Sequence, residues 1–164
     1  MRASRRDKGF SFVEILISII LVGLSITALV FASNSFTMSN GAGADLSTAE
    51  FLIEQIRELT TLLPVVDPET TTTTFGAESG ETTVAAYDDI DDFNNVTFSP
   101  PIDAGRSTLA ALAAYSQSVT VTNVSQSDFD AVVGPHASSF VKITVAVSLN
   151  GREISSASWV RANY

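Results

Sequence analysis

Ile15 to Ala32 is a run of eighteen residues without a charged side chain, and it constrains the folding of this chain more than any other feature. At ~1.5 Å of rise per residue such a run makes about 27 Å of helix, nearly the ~30 Å hydrocarbon core of a bilayer. Arg2, Arg5, Arg6 and Lys8 crowd its N-terminal side, and the next basic residue is Arg57. That asymmetry places the N-terminus in the cytoplasm and everything after about Ala32 outside.

The rest of the 164 residues leaves room for one anchored domain and hardly for two. There is no cysteine, so any core must hold by packing alone, without disulfides or thiolate metal sites. The formal charge is −9. Four of the nine basic and one of the eighteen acidic side chains lie in residues 1–9, so the remainder sets five against seventeen, a net of −12. A domain so charged repels phosphates, and no basic patch reverses this locally, so no nucleic acid is expected as a partner.

Two readings of the terminus compete. An ordinary secretory signal would have its basic n-region, its apolar h-region and Val30-Phe31-Ala32 as a small-x-small cleavage site, releasing a domain that starts near Ser33. Glu14 stands against this, because a carboxylate at the entrance of an apolar segment costs insertion energy, of order 2.5–3.5 kcal/mol if carried to mid-membrane.

Gly9-Phe10-Ser11-Phe12-Val13-Glu14, with a basic leader before it and about twenty apolar residues after it, resembles the signal of type IV prepilins and type II secretion pseudopilins. The resemblance implies that a membrane peptidase cuts after Gly9, that the new N-terminus at Phe10 is N-methylated, and that Glu14 is the glutamate fifth in the mature chain. It also implies the partners: a prepilin peptidase/methyltransferase, other pilin or pseudopilin subunits, an inner-membrane assembly platform and membrane lipid. The spacing gives Glu14 a physical role of its own. Phe10 and Glu14 are i and i+4 on a helix, so cleavage after Gly9 sets an ammonium one turn from the carboxylate. A charge partner, in the same subunit or the next, lowers the cost of a carboxylate in lipid and fixes axial register. Gly9, lacking a Cβ, lets a peptidase approach the scissile bond closely.

Ser33 to Gly43 is small and polar, and its glycines predict a soft or broken stretch. From Asp45, read as a cap, Leu46, Ala49, Leu52, Ile53, Ile56, Leu59 and Leu63 recur at spacings of three and four and form one apolar helix face. Glu50, Glu54, Arg57 and Glu58 lie on the opposite, solvated side, and Pro64 and Pro68 end the helix. A helix from about Phe10 to Leu63 results if the two parts are continuous.

Residues 64–117 read as loops. Thr70–Thr74 is a polar connection, and VTFSPPIDAG, residues 96–105, holds a short possible strand and then Pro100-Pro101, a rigid turn. Tyr87–Asn95, YDDIDDFNN, gathers Asp88, Asp89, Asp91 and Asp92. Such a density of hard oxygen ligands suits Ca²⁺, although the spacing is not that of an EF-hand. Major type II pseudopilins use a calcium site in a variable loop, so the resemblance implies a calcium candidate here without any residue-level correspondence. The alternative is a solvated acidic loop.

Ser118–Asn123 and Phe140–Leu149 alternate apolar with polar residues and are rich in β-branched side chains, as half-buried strands are. Asn150-Gly151 predicts a type I′ turn that returns the chain as REISSASWVRA. An antiparallel sheet of three to four strands follows, and the amphipathic helix is the only long element able to cover it. The fold class is therefore α+β, a long N-terminal helix on a small antiparallel sheet, the pilin-like arrangement. Its expected organisation is a leader over 1–9, a transmembrane and assembly helix over 10–32, and a periplasmic or extracellular domain over 33–164.

Catalysis finds little support. His136, the sole histidine, sits in a turn, GPHAS, Trp159 reads as sheet packing, and no nucleophile elbow, phosphate loop or HExxH is present. The C-terminal cysteine pair common in the family's type IVa major pilins is missing, which favours a minor pilin or pseudopilin, and the proline that often kinks the family's helix is missing too, so no bend is implied. The alternative is an anchored or secreted calcium-binding or interaction module, cut at Ala32 or not at all.

Overall fold

The computed structural model describes residues 9–65 and 74–163. They fall into two compact units that divide between Gly43 and Ala44. The leader residues Arg2, Arg5, Arg6 and Lys8, Pro68 and all of the threonine run except Thr74 lie outside the described residues.

A single helix, α1, runs from Phe12 to Thr61. The break predicted near Gly41 and Gly43 is absent, and helical hydrogen bonding continues through both. Each glycine costs up to ~1 kcal/mol against alanine, too little to stop a helix already propagating from both sides. The polar residues fit the helix by bonding back to it: Ser18, Ser25, Thr27, Thr37 and Thr48 each donate a hydroxyl to the carbonyl four residues earlier. Asp45 is accordingly an interior residue and no cap; its Oδ1 accepts the Tyr115 hydroxyl at 2.9 Å.

In the second unit the strands are β1 (Val96–Phe98), β2 (Tyr115–Ser125), β3 (Asp128–Val132), β4 (Phe140–Leu149) and β5 (Arg152–Ala162). They form one antiparallel sheet of order β1-β2-β4-β5, with β3 also on β2. Asn150 and Gly151 have φ of 51° and 79°, the left-handed pair that a two-residue I′ turn between β4 and β5 requires. The sheet has one strand more than the pattern foretold. The additional strand, β3, is exposed along its whole length.

One face of the sheet packs under α1. Ala49, Leu52, Ile53, Ile56 and Leu59 meet Val119, Val121, Val141, Ile143, Val145 and Val147 in a single core. Each fully buried aliphatic side chain contributes about 1.5–3 kcal/mol. Leu46, placed on this face by spacing, remains 44% exposed. Polar side chains lock the layers together. Buried Gln117 donates Nε2 to the Leu52 carbonyl at 2.8 Å and accepts the Ile102 N–H on Oε1 at 2.8 Å. Arg161 donates to the carbonyls of Thr60 and Leu63, at and just beyond the end of α1. Trp159 packs on the core and also lies 4.8 Å beneath the Arg57 guanidinium.

Candidate functional site

The N-terminal site begins outside the helix. Gly9, Phe10 and Ser11 precede α1 and are exposed, Phe10 by 78%. Ser11 opens the helix: its Oγ accepts the Val13 N–H at 3.2 Å and its carbonyl accepts the Ile15 N–H at 3.2 Å. Glu14 stands three residues after this cap, the position where a carboxylate best complements the positive end of the helix. In the uncut chain Phe10 is therefore not on a helical face with Glu14, as the i, i+4 spacing suggested, because the Ser11 hydroxyl starts the helix after it. A Cβ on Gly9 would meet nothing within 4 Å among the described residues, which give no packing reason for glycine there. Beyond Glu14 the side chains of α1 stay exposed as far as Ala44, and no part of its most apolar eighteen-residue window is buried within the chain.

The second constellation lies in the folded domain. Asp89, Asp91 and Asp92 are each 1% exposed, which overturns the reading of a solvated acidic loop. A 3-10 turn, Asp91–Phe93, holds them. Asp89 Oδ1 accepts the N–H groups of Asp91 at 2.8 Å and Asp92 at 3.2 Å. Asp92 Oδ2 accepts those of Asp88 at 2.9 Å and Asp89 at 3.2 Å. Asp91 Oδ1 accepts the Gly76 N–H at 2.7 Å. Ile90 and Phe93 break the carboxylate spacing because both are core residues, fully buried, that pin the turn to the domain.

Burial drives the protonation of this group. Desolvation, and then the charges of Asp91 and Asp92, push Asp89 up to about 8. Asp92 is pushed up to about 7, again chiefly by desolvation and also by the Glu81 carboxyl, against the lowering effect of the N–H bonds it accepts. One oxygen from each of Asp89, Asp91 and Asp92 lies within 4.8 Å of the others, and Glu78, Glu81 and Asp92 form a second such group. Asp92 Oδ1 is buried and accepts no N–H or hydroxyl hydrogen among the described residues. With a carboxyl beside it, that oxygen is satisfied by a shared proton or by a cation.

Residues 4–30 match the family model of the prokaryotic N-terminal methylation motif. The chain carries the prepilin-type signal of type IV pilins and pseudopilins. No curated protein and no solved structure matches the chain. The signal, and the helix on an antiparallel sheet that follows it, support a pilin-like or pseudopilin-like subunit.

On this prepilin-type chain the sequence-predicted residues separate cleanly. Gly9, Phe10 and Glu14 lie together at the start of α1, inside the matched motif. Of the four aspartates, Asp89, Asp91 and Asp92 converge; Asp88 is absent from both oxygen groups and contributes its backbone N–H to Asp92. Three participants were missed. Ser11 was legible, since Ser-x-x-Glu before an apolar run is a capping-box pattern. Glu78 and Glu81 gave no signal, because only the fold of residues 74–93 brings them to Asp92. His136 does sit in a turn, at a φ of 55°, but its Nε2 also lies 4.0 Å from Asp91 Oδ2 and 3.0 Å from the Thr74 carbonyl.

Proposed function

We propose that this chain is a minor pilin or pseudopilin of a type IV pilus or type II secretion pseudopilus, inserted in the bacterial inner membrane with its N-terminus cytoplasmic. Residues 1–9 are the leader, residues 10–32 the transmembrane and assembly segment, and residues 33–164 the periplasmic domain. A prepilin peptidase cuts after Gly9, Phe10 is N-methylated, and the mature helix polymerises with those of other subunits on an inner-membrane platform. The observation that carries this reading is the coincidence of the methylation motif over 4–30 with a helix whose apolar surface finds no cover within its own chain. Exposed apolar surface on this scale calls for lipid or for neighbouring helices.

Glu14 supplies the register. Cleavage leaves the Phe10 ammonium one residue before the cap Ser11, at the positive end of a helix, where a cation is unfavourable. A carboxylate from a neighbouring helix compensates it, and one ion pair has a single good position along an apolar surface. Two substitutions separate this role from capping. Glutamine at position 14 still completes a capping box, whereas alanine does not. Glu14→Gln and Glu14→Ala are both expected to abolish incorporation into filaments while leaving membrane insertion intact, as read by pulling down filaments with a co-expressed major subunit. Wild-type incorporation of Glu14→Gln would assign Glu14 to capping alone.

A second proposal concerns the acidic turn, where a divalent cation such as calcium is held by Asp89, Asp91 and Asp92, with Glu78 and Glu81 beside Asp92. Hard carboxylate oxygens so crowded suit this ion, and the buried Asp92 Oδ1 accepts no N–H or hydroxyl hydrogen among the described residues. Isothermal titration of the chelator-treated chain at pH 8 checks it: one saturable calcium site is expected, lost in Asp92→Asn. Absence of heat and of any thermal shift would remove the cation from the account. The rival module cut at Ala32 shares this site, and the mature N-terminus tells the two apart.

A further inference from the structure

Two strands share one edge of β2 and leave a gap between them. β1 accompanies β2 only as far as Val119, and β3 meets it again at Val124. In the gap, the Val121 N–H donates to Asn94 Oδ1 at 3.2 Å and the Asn123 carbonyl accepts the Val133 N–H at 2.9 Å. Residues two apart on a strand present their backbone groups to the same edge, so the Asn94-Asn95 turn and the segment after β3 flank one notch. Its volume is about 260 Å³. That falls just below the ~300 Å³ at which small-molecule pockets begin, room for one ring and not for an extended ligand.

The lining is unusual for so acidic a chain. None of its described residues is ionisable; it combines Asn94, Asn95, Thr120 and Thr122 with the rings of Phe75 and Pro135. Elsewhere on the same sheet face hydroxyls satisfy one another, Thr97 with Ser118 at 3.1 Å and Thr144 with Ser158 at 2.8 Å. Asn123, which also lines the notch, has its side chain engaged by Ser138, Phe140 and His136. In contrast, Asn94 Nδ2, the Asn95 amide and the Thr120 and Thr122 hydroxyls have no hydrogen-bond partner among the described residues. They are directed groups at the sheet edge, with Asn95 and Thr120 open to solvent and Asn94 and Thr122 half-buried.

We propose that this notch binds a neutral sugar ring. Amides and hydroxyls both donate and accept, which matches the alternating demands of a ring of hydroxyl groups. The apolar C–H face of such a ring suits the π-face of Phe75 and the ring of Pro135. A charged ligand would lose its hydration here without gaining a counter-charge. The site lies in the folded domain and does not depend on cleavage, methylation or assembly, so it stands or falls apart from the pilin reading.

The test uses the full-length chain in a detergent without a sugar headgroup. Saturation-transfer and chemical-shift NMR are run with methyl α-glucoside, methyl α-galactoside and N-acetylglucosamine, and with glucuronate as the charged counterpart. At least one neutral sugar is expected to bind saturably in the millimolar range, with shifts centred on Asn94, Asn95, Thr120 and Thr122. Asn95→Gly removes the amide while tolerating the φ of 61° at that position. Thr122→Val keeps shape and strand preference. Each is expected to weaken binding about tenfold, the effect of ~1.4 kcal/mol, without changing the melting temperature. The proposal is overturned if no neutral sugar shifts these residues, if both variants bind as the wild type does, or if glucuronate binds equally well.

Discussion

The two parts of α1 use their aliphatic side chains in opposite ways. From Phe12 to Gly43 every side chain is exposed within the chain, whereas from Ala49 to Leu59 the apolar stripe is buried against the sheet. From Ile15 to Ala32 the first part carries no charge on any side, whereas the second carries Glu50, Glu54, Arg57 and Glu58 on its far side. A helix hydrophobic on every side has no single face to give a domain and must be solvated by lipid or by other helices. The lesson is that one uninterrupted helix can hold two kinds of surface, one that stabilises a fold and one that waits for partners.

That contrast fixes what each substitution should do. The largest effect expected is on processing. Gly9→Val is predicted to leave the domain's melting temperature unchanged, since a side chain at Gly9 has open space, yet to lower leader cleavage at least about tenfold, ~1.4 kcal/mol in the barrier. An immunoblot of precursor and mature forms reads this directly. Next in size is the core. Leu52→Ala, at a fully buried position, is expected to cost about 2–5 kcal/mol of domain stability, while Leu21→Ala, exposed on the first part, should cost the domain nothing measurable. Equal losses in thermal melts of the two would erase the distinction between the parts.

Much of this contrast was legible beforehand, because it rests on pattern. Periodicity placed Leu52, Ile53 and Ile56 on the covered face, alternation placed β2 and β4, and Asn150-Gly151 placed the turn that leads into β5. The signal Gly9-Phe10 and Glu14 was legible because it is contiguous in sequence. What escaped was what depends on tertiary closure. The burial of Asp89, Asp91 and Asp92 could not be read, since a string of carboxylates looks solvated until Ile90 and Phe93 are seen to be core residues. The helix crossed Gly41 and Gly43 because propagation outweighs local propensity.

A smaller effect concerns the acidic turn. Asp89 at about 8 and Asp92 at about 7 lie above the ordinary carboxylate value of 3.8. The folded state therefore holds protons that the unfolded chain releases, so stability falls as pH rises from about 4 through 8. Without metal, the melting temperature is expected to drop by about 5 °C or more between pH 5 and pH 8, the shift that ~1 kcal/mol gives a domain of ~100 residues. Calcium should restore it at pH 8 and do little at pH 5. Asp89→Asn should flatten the pH profile. The smallest effect belongs to the helix start: Ser11→Ala removes the cap on Val13, costs ~1 kcal/mol locally, and should speed amide exchange over the first turn of α1 without touching the domain.

The central claim is that the exposed part of α1 is kept for assembly after a cut at Gly9. Mass spectrometry of the membrane-extracted chain tests it most directly. A mature chain that begins with N-methyl-Phe10 is the predicted result, and one that begins at Ser33 would contradict the account.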